Sequence, residues 1–286
     1  MGLRIMINFI GIGAQKCASS WIYEVLKNSE QVCVSQTKEL DFFSYYYDRG
    51  YQWYESNFSD HSRALTGEIS PSYFYNSDVP ERVHTYNPET KIILSLRDPI
   101  KRMYSNHLHE VRAGNISGKN TVFENAFENN PLYLQQSQYA VHIKKWQQYF
   151  PKEKMHIVFQ EDVKRDPQKV SDEMCQFFEI EPLDLVEVNA VNASVQNKNK
   201  VVGKAFELGG DVLRKLELKG ALNQLKESKL VGTVYNKNKV HISELVAPMK
   251  EETRTHLQAS LAPQMDELKA LLNIDALPWE KETELK

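Results

Sequence analysis

The chain contains little cysteine, glycine or proline, and neither sign of charge dominates. The three cysteines among 286 residues, Cys17, Cys33 and Cys175, form no Cys-x-x-Cys pair. A disulfide framework is therefore not expected, and a reducing, cytoplasmic location is predicted. Twelve Gly and eleven Pro exclude a fibrous or low-complexity chain. With 35 Lys and Arg against 38 Asp and Glu, the formal net charge is −3, which disfavours a polybasic nucleic-acid binder.

Long hydrophobic runs are also missing. None approaches the roughly 20 apolar residues that a helix needs to cross a bilayer, so no membrane span is predicted. The apolar segment Ile5–Ile12 follows Arg4, but Asn8 interrupts it and Lys16 follows without a small-residue cleavage site. We therefore expect this segment to be a buried first strand and not a signal peptide.

Short β-rich runs alternate with helical patterns along the chain. This alternation is typical of a parallel sheet with crossover helices. Runs such as Ile92–Leu94 are apolar without alternation, as in strands that are covered on both faces. The predicted strands are Ile5–Ile12, Gln31–Ser35, Ala64–Ile69, Lys91–Leu96 and Met155–Gln160, and the predicted helices are Ser19–Asn28, Val79–Tyr86, Pro99–Arg112, Gln135–Tyr149 and Asp166–Phe178.

The character of the chain changes after Pro182. Residues 198–250 carry eleven Lys or Arg and five Asp or Glu. The stretch Asp211–Lys229 fits either an amphipathic helix packed on the main body or a basic flap over an anionic ligand. A last helix is predicted over Pro248–Leu272. These patterns predict a single domain over 1–286, with an α/β core at 1–182 and a basic, mainly helical C-terminal elaboration at 183–286.

The first predicted strand leads into a small-residue loop, GIGAQK (11–16), and a helix begins near Ser19 or Ser20. Backbone N–H groups, the helix dipole and Lys16 would converge there on an anion. The loop differs from a nucleotide triphosphate P-loop, because Gln15 replaces the Gly before the Lys and Cys17 replaces the Mg²⁺-binding hydroxyl residue. The prediction is an α/β fold with a P-loop-like central parallel sheet flanked by helices, and no metal site. A helix start favours a lowered pKa for the Cys17 thiol, but the sequence positions no His to activate it, so a thiol nucleophile is not expected.

A second candidate for anion binding follows the predicted strand Lys91–Leu96. Arg97 lies at the carboxyl end of this strand, which is where open α/β sheets bind ligands. Asp98 is placed to cap the next helix, and Pro99 suits its first position. Ser105 lies about two helical turns further on. Its hydroxyl and the Arg97 guanidinium can both donate hydrogen bonds to a phosphate. The alternative to phosphate binding is that Arg97 forms an ion pair with a surface carboxylate.

Together, the two motifs resemble the phosphate-binding motifs of sulfotransferases that use 3′-phosphoadenosine 5′-phosphosulfate (PAPS). The likeness is greatest to the heparan sulfate N- and 3-O-sulfotransferases, and it runs in order from about Phe9 to Phe178. It includes the segments KELDFF (38–43), GEISPSYF (67–74), VPERVH (79–84) and QYAVHIKKW (138–146). Beyond Pro182 the likeness fades.

The resemblance implies an enzyme that moves a sulfuryl group from PAPS to a hydroxyl or amine of a small-molecule, glycoside or lipid acceptor. Glu39 falls at the position of the family's general base, and Lys16 would stabilise charge on the leaving nucleotide. Lys16, Ser19 and Ser20 would bind the 5′-phosphosulfate, and Arg97 and Ser105 the 3′-phosphate. The donor-binding set implied is Gln15, Lys16, Cys17, Ala18, Ser19, Ser20, Trp21, Arg97 and Ser105, with Lys198 and Lys200 in place of the family's C-terminal loop.

Two positions depart from the family pattern. Ile69 stands where the 3-O branch has a catalytic Lys, so another cation such as Lys38 would replace it, or Glu68 would be a second candidate base. The family's C-terminal donor-binding loop, rich in Lys, Gly and Arg, has no clear counterpart in this chain other than residues 192–200.

The sequence disfavours two other functions. A P-loop-type nucleotide kinase or NTPase is disfavoured by Gln15 and Cys17. A catalytically silent nucleotide-binding module is disfavoured because Lys16 and Glu39 are both present. The aromatic residues that follow Glu39 are expected to serve mainly in packing, or to offer stacking faces to a sugar or another flat molecule.

Overall fold

The computed structural model describes residues 7–60, 63–185, 195–197, 239–241 and 245–281. They belong to two compact units, one within Met1–Asn106, Phe127–Val191 and Lys250–Lys286, the other within His107–Ala126 and Asn192–Met249. The predicted helix at Asp211–Lys229 lies outside the described residues, as do Lys198 and Lys200. No helix in the described ranges combines the length and apolar character needed to cross a bilayer.

A five-stranded parallel sheet forms the centre of the first unit. Its strands are β1 (Phe9–Gly13), β2 (Val32–Val34), β3 (Leu65–Ile69), β4 (Lys91–Leu96) and β5 (Met155–Phe159), in the spatial order β2-β3-β1-β4-β5. From β1 the chain runs towards the β2 edge, and after β3 it crosses to the opposite side of β1. The side on which successive strands are added therefore switches between β1 and β4. Open α/β sheets bind ligands at the carboxyl ends of the strands at such a switch point.

Helices surround this sheet and continue to the C-terminal part. In the described residues they are α1 (Ser19–Lys27), α2 (Phe42–Tyr45), α3 (Gly50–Glu55), α4 (Val79–Tyr86), α5 (Pro99–Ala113), α6 (Phe123–Asn129), α7 (Leu132–Gln135), α8 (Tyr139–Gln147), α9 (Gln160–Arg165), α10 (Pro167–Phe178), α11 (Glu251–Leu272) and α12 (Pro278–Lys281). In the second unit, β6 (Val195–Asn197) pairs antiparallel with β7 (Lys239–His241). The parallel sheet with flanking and C-terminal helices confirms the predicted fold class.

Both faces of the sheet are covered by apolar side chains. Ile92 and Leu94 of β4 pack in one cluster with Trp146 of α8, whereas Ile93 packs in another with Met174 of α10. A strand covered on both sides needs apolar residues at successive positions, which explains the run without alternation in β4.

The predicted helix Gln135–Tyr149 is present as α8, but its predicted start is wrong, because a break after α7 delays the start of α8 to Tyr139. α7 ends at Gln135, α8 begins at Tyr139, and Gln138 has non-helical backbone angles. The carbonyl oxygen of Tyr133 accepts hydrogen bonds from Arg102 Nη2 at 2.7 Å and from the Ser137 hydroxyl at 3.1 Å. The Ser137 N–H donates instead to the Leu134 carbonyl, so the α-helical pattern stops there.

Candidate active site

The loop between β1 and α1 is fastened to the neighbouring strand β4. The Ala14 N–H donates to the Ser95 carbonyl at 2.6 Å, and the Ser95 hydroxyl donates to the Gly13 carbonyl at 2.9 Å. Lys16 and Ala18 both adopt left-handed backbone conformations, with φ of 68° and 72°. Ala18 occupies the N-cap position of α1 and makes no side-chain cap bond, so the first-turn N–H groups can serve an anion.

Arg97 joins this loop from the end of β4. Its Nη1 donates to the Lys16 carbonyl at 3.2 Å, while its Nε is buried and lacks a hydrogen-bond partner among the described residues. The Asp98 carboxylate caps α5 by accepting from the N–H groups of Ile100 and Lys101 at 2.8 and 3.1 Å. The structure therefore brings Lys16 and Arg97 together, as both motifs predicted.

The other predicted donor-site residues lie along the same loop, in the first turn of α1 and on α5. Ser105 is half-buried in α5, and no hydrogen bond joins it to Arg97 in the described part of the chain. Ser19 is buried in the first turn of α1, and the remaining members, Gln15, Ser20 and Trp21, are half-buried.

The expectation of a lowered pKa for Cys17 is wrong. The side chain is fully buried, with Sγ 3.9 Å from the Tyr139 hydroxyl. Burial raises the pKa of the thiol to about 11, although the charges of Arg102 and Arg97 act in the opposite direction. Loss of hydration therefore outweighs the favourable charges at the helix start. Cys17 is left to contribute to a ligand through its backbone only.

Glu39 lies beside the carboxyl end of β3. Its N–H donates to the Ile69 carbonyl at 3.2 Å, its φ is 63°, and its side chain is 47% exposed and ion-paired with Lys38. Asp41 ties the same segment to the residues after β3, because its carboxylate accepts from the Ser72 hydroxyl at 2.5 Å. Since β3 and β4 flank β1, Glu39 stands at the same edge of the sheet as Lys16 and Arg97.

Glu68, the second candidate base, points into the core. It is 0% exposed, and its two carboxyl oxygens accept from the hydroxyls of Ser70 and Tyr73, each at 2.5 Å. Burial raises its pKa to about 7, while these two hydrogen bonds oppose the shift. Glu68 thus belongs to a buried hydroxyl network at the end of β3.

This raised pKa predicts a pH-dependent stability. The folded protein holds the Glu68 proton up to about pH 7, whereas an unfolded chain releases it near 4.5, so the free energy of unfolding falls as pH rises between these values. The Gln side chain of Glu68→Gln cannot titrate, so the variant should lack this fall. Measured by urea unfolding, the fall in the free energy of unfolding should be larger in wild type than in the variant by on the order of 1–3 kcal/mol. The exposed Glu81→Gln is the control. Parallel stability profiles for wild type and Glu68→Gln between pH 5 and 7 would refute the assignment.

The aromatic residues after Glu39 divide into two groups. Phe42, Phe43 and Tyr54 are fully buried, which confirms their packing role. Tyr45 and Tyr46 are 59% and 41% exposed, and the hydroxyls of Tyr45 and Tyr75 lie 3.0 Å apart. We call Tyr45, Tyr46 and Tyr75 the tyrosine surface.

Sequence reasoning missed the residues that support the two anion-binding segments. The Tyr139 hydroxyl donates to the Arg97 carbonyl at 3.0 Å, and Arg102 is held by the segment that precedes Tyr139. Tyr139 lies inside the quoted segment 138–146 and Arg102 between Pro99 and Ser105, but the inward direction of both side chains depends on tertiary packing. In the described ranges, no group of three or more His, Cys, Asp or Glu side chains is arranged to hold a metal ion.

Comparisons with known proteins identify the family of this chain. Residues 7–209 match the family described as "Sulfotransferase domain". The chain is 28% identical over 239 residues to a bifunctional heparan sulfate N-deacetylase/N-sulfotransferase of Drosophila melanogaster, covering 69% of this chain and 23% of that protein. It is 30% identical over 160 residues to heparan sulfate glucosamine 3-O-sulfotransferase 5 of Mus musculus, covering 51% of this chain and 46% of that protein. The chain thus spans less than half the length of either relative.

A solved structure shares the fold. The crystal structure of a sulfotransferase from Alicyclobacillus acidocaldarius superimposes with a TM-score of 0.66 at 20% identity, over 96% of this chain and 98% of that one. The family match covers well over half of the residues. The resemblance predicted from the two motifs is confirmed, and the chain belongs to the sulfotransferase domain family.

Proposed function

We propose that this protein transfers a sulfuryl group from PAPS to a hydroxyl or amine of an acceptor, with Glu39 as the general base. The observation that carries the proposal is the hydrogen bond between Arg97 and the Lys16 carbonyl at the switch point between β1 and β4. It links the two anion-binding segments at the edge of the sheet where Glu39 also lies.

The residues of the site fit a donor that is anionic at both ends. The buried Arg97 Nε has no protein partner in the described residues, and Arg97 forms no ion pair with a carboxylate there. The first turn of α1 lacks a side-chain cap, and Lys16 adds a positive charge. We assign the 5′-phosphosulfate to the loop with Lys16, Ser19 and Ser20, and the 3′-phosphate to Arg97 and Ser105.

Each catalytic step has a residue suited to it. PAPS supplies an activated sulfuryl group, whose S–O bond to the nucleotide phosphate breaks as the acceptor oxygen or nitrogen bonds to sulfur. Glu39 takes the proton that the acceptor loses. Lys16 stabilises the negative charge that develops on the departing phosphate oxygen. Lys38, ion-paired with Glu39, supplies a cation beside the base in place of the Lys that Ile69 replaces.

Glu39 suits the role of base better than Glu68 does. A general base must come within hydrogen-bond reach of the acceptor. Glu39 is exposed at the sheet edge, whereas both oxygens of the buried Glu68 already accept hydroxyl hydrogen bonds. We therefore propose that Glu68 supports the end of β3 and takes no proton from the acceptor.

We further propose a carbohydrate or similar ring-containing molecule as the acceptor. The names of the two curated relatives point to heparan sulfate as their acceptor. In this chain, the tyrosine surface follows Glu39 closely and offers both ring faces and hydroxyls. Such surfaces suit sugar rings, which combine apolar faces with hydroxyl groups.

Donor recognition can be tested by thermal unfolding with 3′-phosphoadenosine 5′-phosphate (PAP), with ATP, and with ATP plus Mg²⁺. PAP at 100 times its dissociation constant should stabilise the fold by about 2.7 kcal/mol. Stabilisation by ATP with Mg²⁺ and none by PAP would contradict the proposal and favour a nucleotide kinase or NTPase. Release of PAP from PAPS in the presence of a panel of glycosides would then separate an enzyme from a silent binding module.

A further inference from the structure

Arg102 is a buried cation whose partners are all neutral. The residue is 0% exposed and lies in α5. Its Nε donates to the Ser137 hydroxyl at 2.7 Å, Nη1 to the Gln136 side-chain carbonyl at 3.1 Å, and Nη2 to the Tyr133 carbonyl at 2.7 Å. It forms no ion pair with a carboxylate in the part of the chain that the structure describes.

Such an arrangement is costly unless another charge compensates it. Hydrogen bonds to neutral oxygens satisfy the N–H groups of a guanidinium but leave its net charge uncompensated. Burial lowers the pKa of Arg102, and the nearby positive charge of Arg97 lowers it further. Glu161, the buried carboxyl beside Arg97, accepts instead from the Asp98 N–H at 3.3 Å. The protein therefore contains a positive charge that an anionic ligand would stabilise.

The charge lies directly behind the two anion-binding segments. The segment that accepts the three Arg102 hydrogen bonds continues into Tyr139, whose hydroxyl donates to the Arg97 carbonyl at 3.0 Å. The same hydroxyl lies 3.9 Å from Cys17 Sγ in the loop after β1. Tyr139 thus connects the Arg102 environment to both the loop and Arg97.

We infer that Arg102 is a positioning residue of the donor site, whose buried positive charge strengthens the binding of the donor's phosphates to the loop and to Arg97. This inference rests on the proposed function. Arg102 itself does not touch the donor; it acts through the low-dielectric interior, where a charge is poorly screened. The phosphates in turn provide the negative charge that the protein does not place beside Arg102.

Two substitutions separate charge from shape. Arg102→Gln and Arg102→Lys both keep a hydrogen-bond donor for the Ser137 and Tyr133 oxygens, but only the Lys variant keeps a charge. By calorimetry at pH 6.5, we expect Arg102→Gln to bind PAP about tenfold more weakly, which is 1.4 kcal/mol. Arg102→Lys should stay within about threefold of wild type. Arg254→Gln, at an ion-paired and partly exposed position on α11, is the control and should bind like wild type.

A pH series on Arg102→Lys keeps the test sharp even if Arg102→Gln does not fold. A buried lysine loses its proton readily, whereas an arginine does not. The PAP affinity of Arg102→Lys should therefore fall, relative to wild type at each pH, between pH 6.5 and 9. The neighbouring titratable groups, Cys17, Tyr133, Tyr139 and His142, and the charge of Arg97 are common to both proteins and cancel in this ratio.

The outcomes are distinguishable. A wild-type protein that does not bind PAP would overturn the proposed function and this inference together. Wild-type binding with equal losses in the Gln and Lys variants, and no pH dependence of their ratio to wild type, would overturn the inference alone, because Arg102 would then be a packing residue only.

Discussion

Glu39→Gln should abolish most sulfuryl transfer while leaving donor binding intact. The amide keeps the size of the carboxylate but cannot take the acceptor's proton, and general bases contribute typically 10²–10⁴-fold to rate. We expect turnover, measured as PAP release from PAPS with an accepted glycoside, to fall by about 10²–10³-fold. PAP affinity by calorimetry should change less than about threefold, since Glu39 is assigned to the acceptor and not to the donor.

Glu179→Gln is a closely matched control. Glu179 is also an exposed glutamate with a left-handed backbone, at φ 60°, and it pairs with Lys91 at 2.7 Å. It therefore reports what loss of such an ion pair does to the fold without touching the proposed site. Turnover of Glu39→Gln equal to that of Glu179→Gln would show that the base lies elsewhere, and Glu68→Gln would then be assayed in the same way.

Arg97→Ala should weaken PAP binding by about 100-fold. The substitution removes a charged donor to a phosphate and the hydrogen bond that holds the Lys16 carbonyl, and hydrogen bonds that involve a charged group contribute about 1.5–3 kcal/mol each. Calorimetric titration with PAP gives the affinity directly. The loss should exceed that of Ser105→Ala, which removes only a neutral hydroxyl.

The control for this change is Arg82→Ala. Arg82 also donates Nη1 to a backbone carbonyl, that of Phe43, at 2.7 Å, and its side chain is 27% exposed. Its removal costs a comparable structural hydrogen bond outside the loop after β1. If Arg97→Ala and Arg82→Ala bind PAP with the same affinity, Arg97 does not hold the 3′-phosphate.

Local patterns predicted the parts of the fold that depend on local chemistry. The run Lys91–Leu96 and the helix Val79–Tyr86 were predicted with the bounds that the structure has. The cap by Asp98 and the start of α5 at Pro99 follow from side-chain and backbone preferences of single residues. The family resemblance was likewise carried by short motifs, and the comparisons confirm it.

Features that depend on distant contacts were not predictable. At the break between α7 and α8, the Tyr133 carbonyl accepts a hydrogen bond from Arg102, which lies some 31 residues earlier in the sequence. The pKa of Cys17 is raised by burial in a core cluster whose members, such as Tyr139, 122 residues away, come from distant parts of the chain. Helix propensity and the helix dipole reflect only residues that are close in sequence. The helix break and the pKa of Cys17 both depend on tertiary contacts, so neither could be predicted in this way.

The way in which Glu39 is held has a consequence for how new acceptors could arise. Its loop is fixed to the end of β3 through Ile69, Ser70 and Ser72, whereas Tyr45 and Tyr46 project into solvent beyond it. Mutations at the exposed tyrosines would therefore alter which molecule is accepted without moving the base. Directed evolution of acceptor range should accordingly concentrate its beneficial changes in the tyrosine surface and leave the loop of Glu39 untouched.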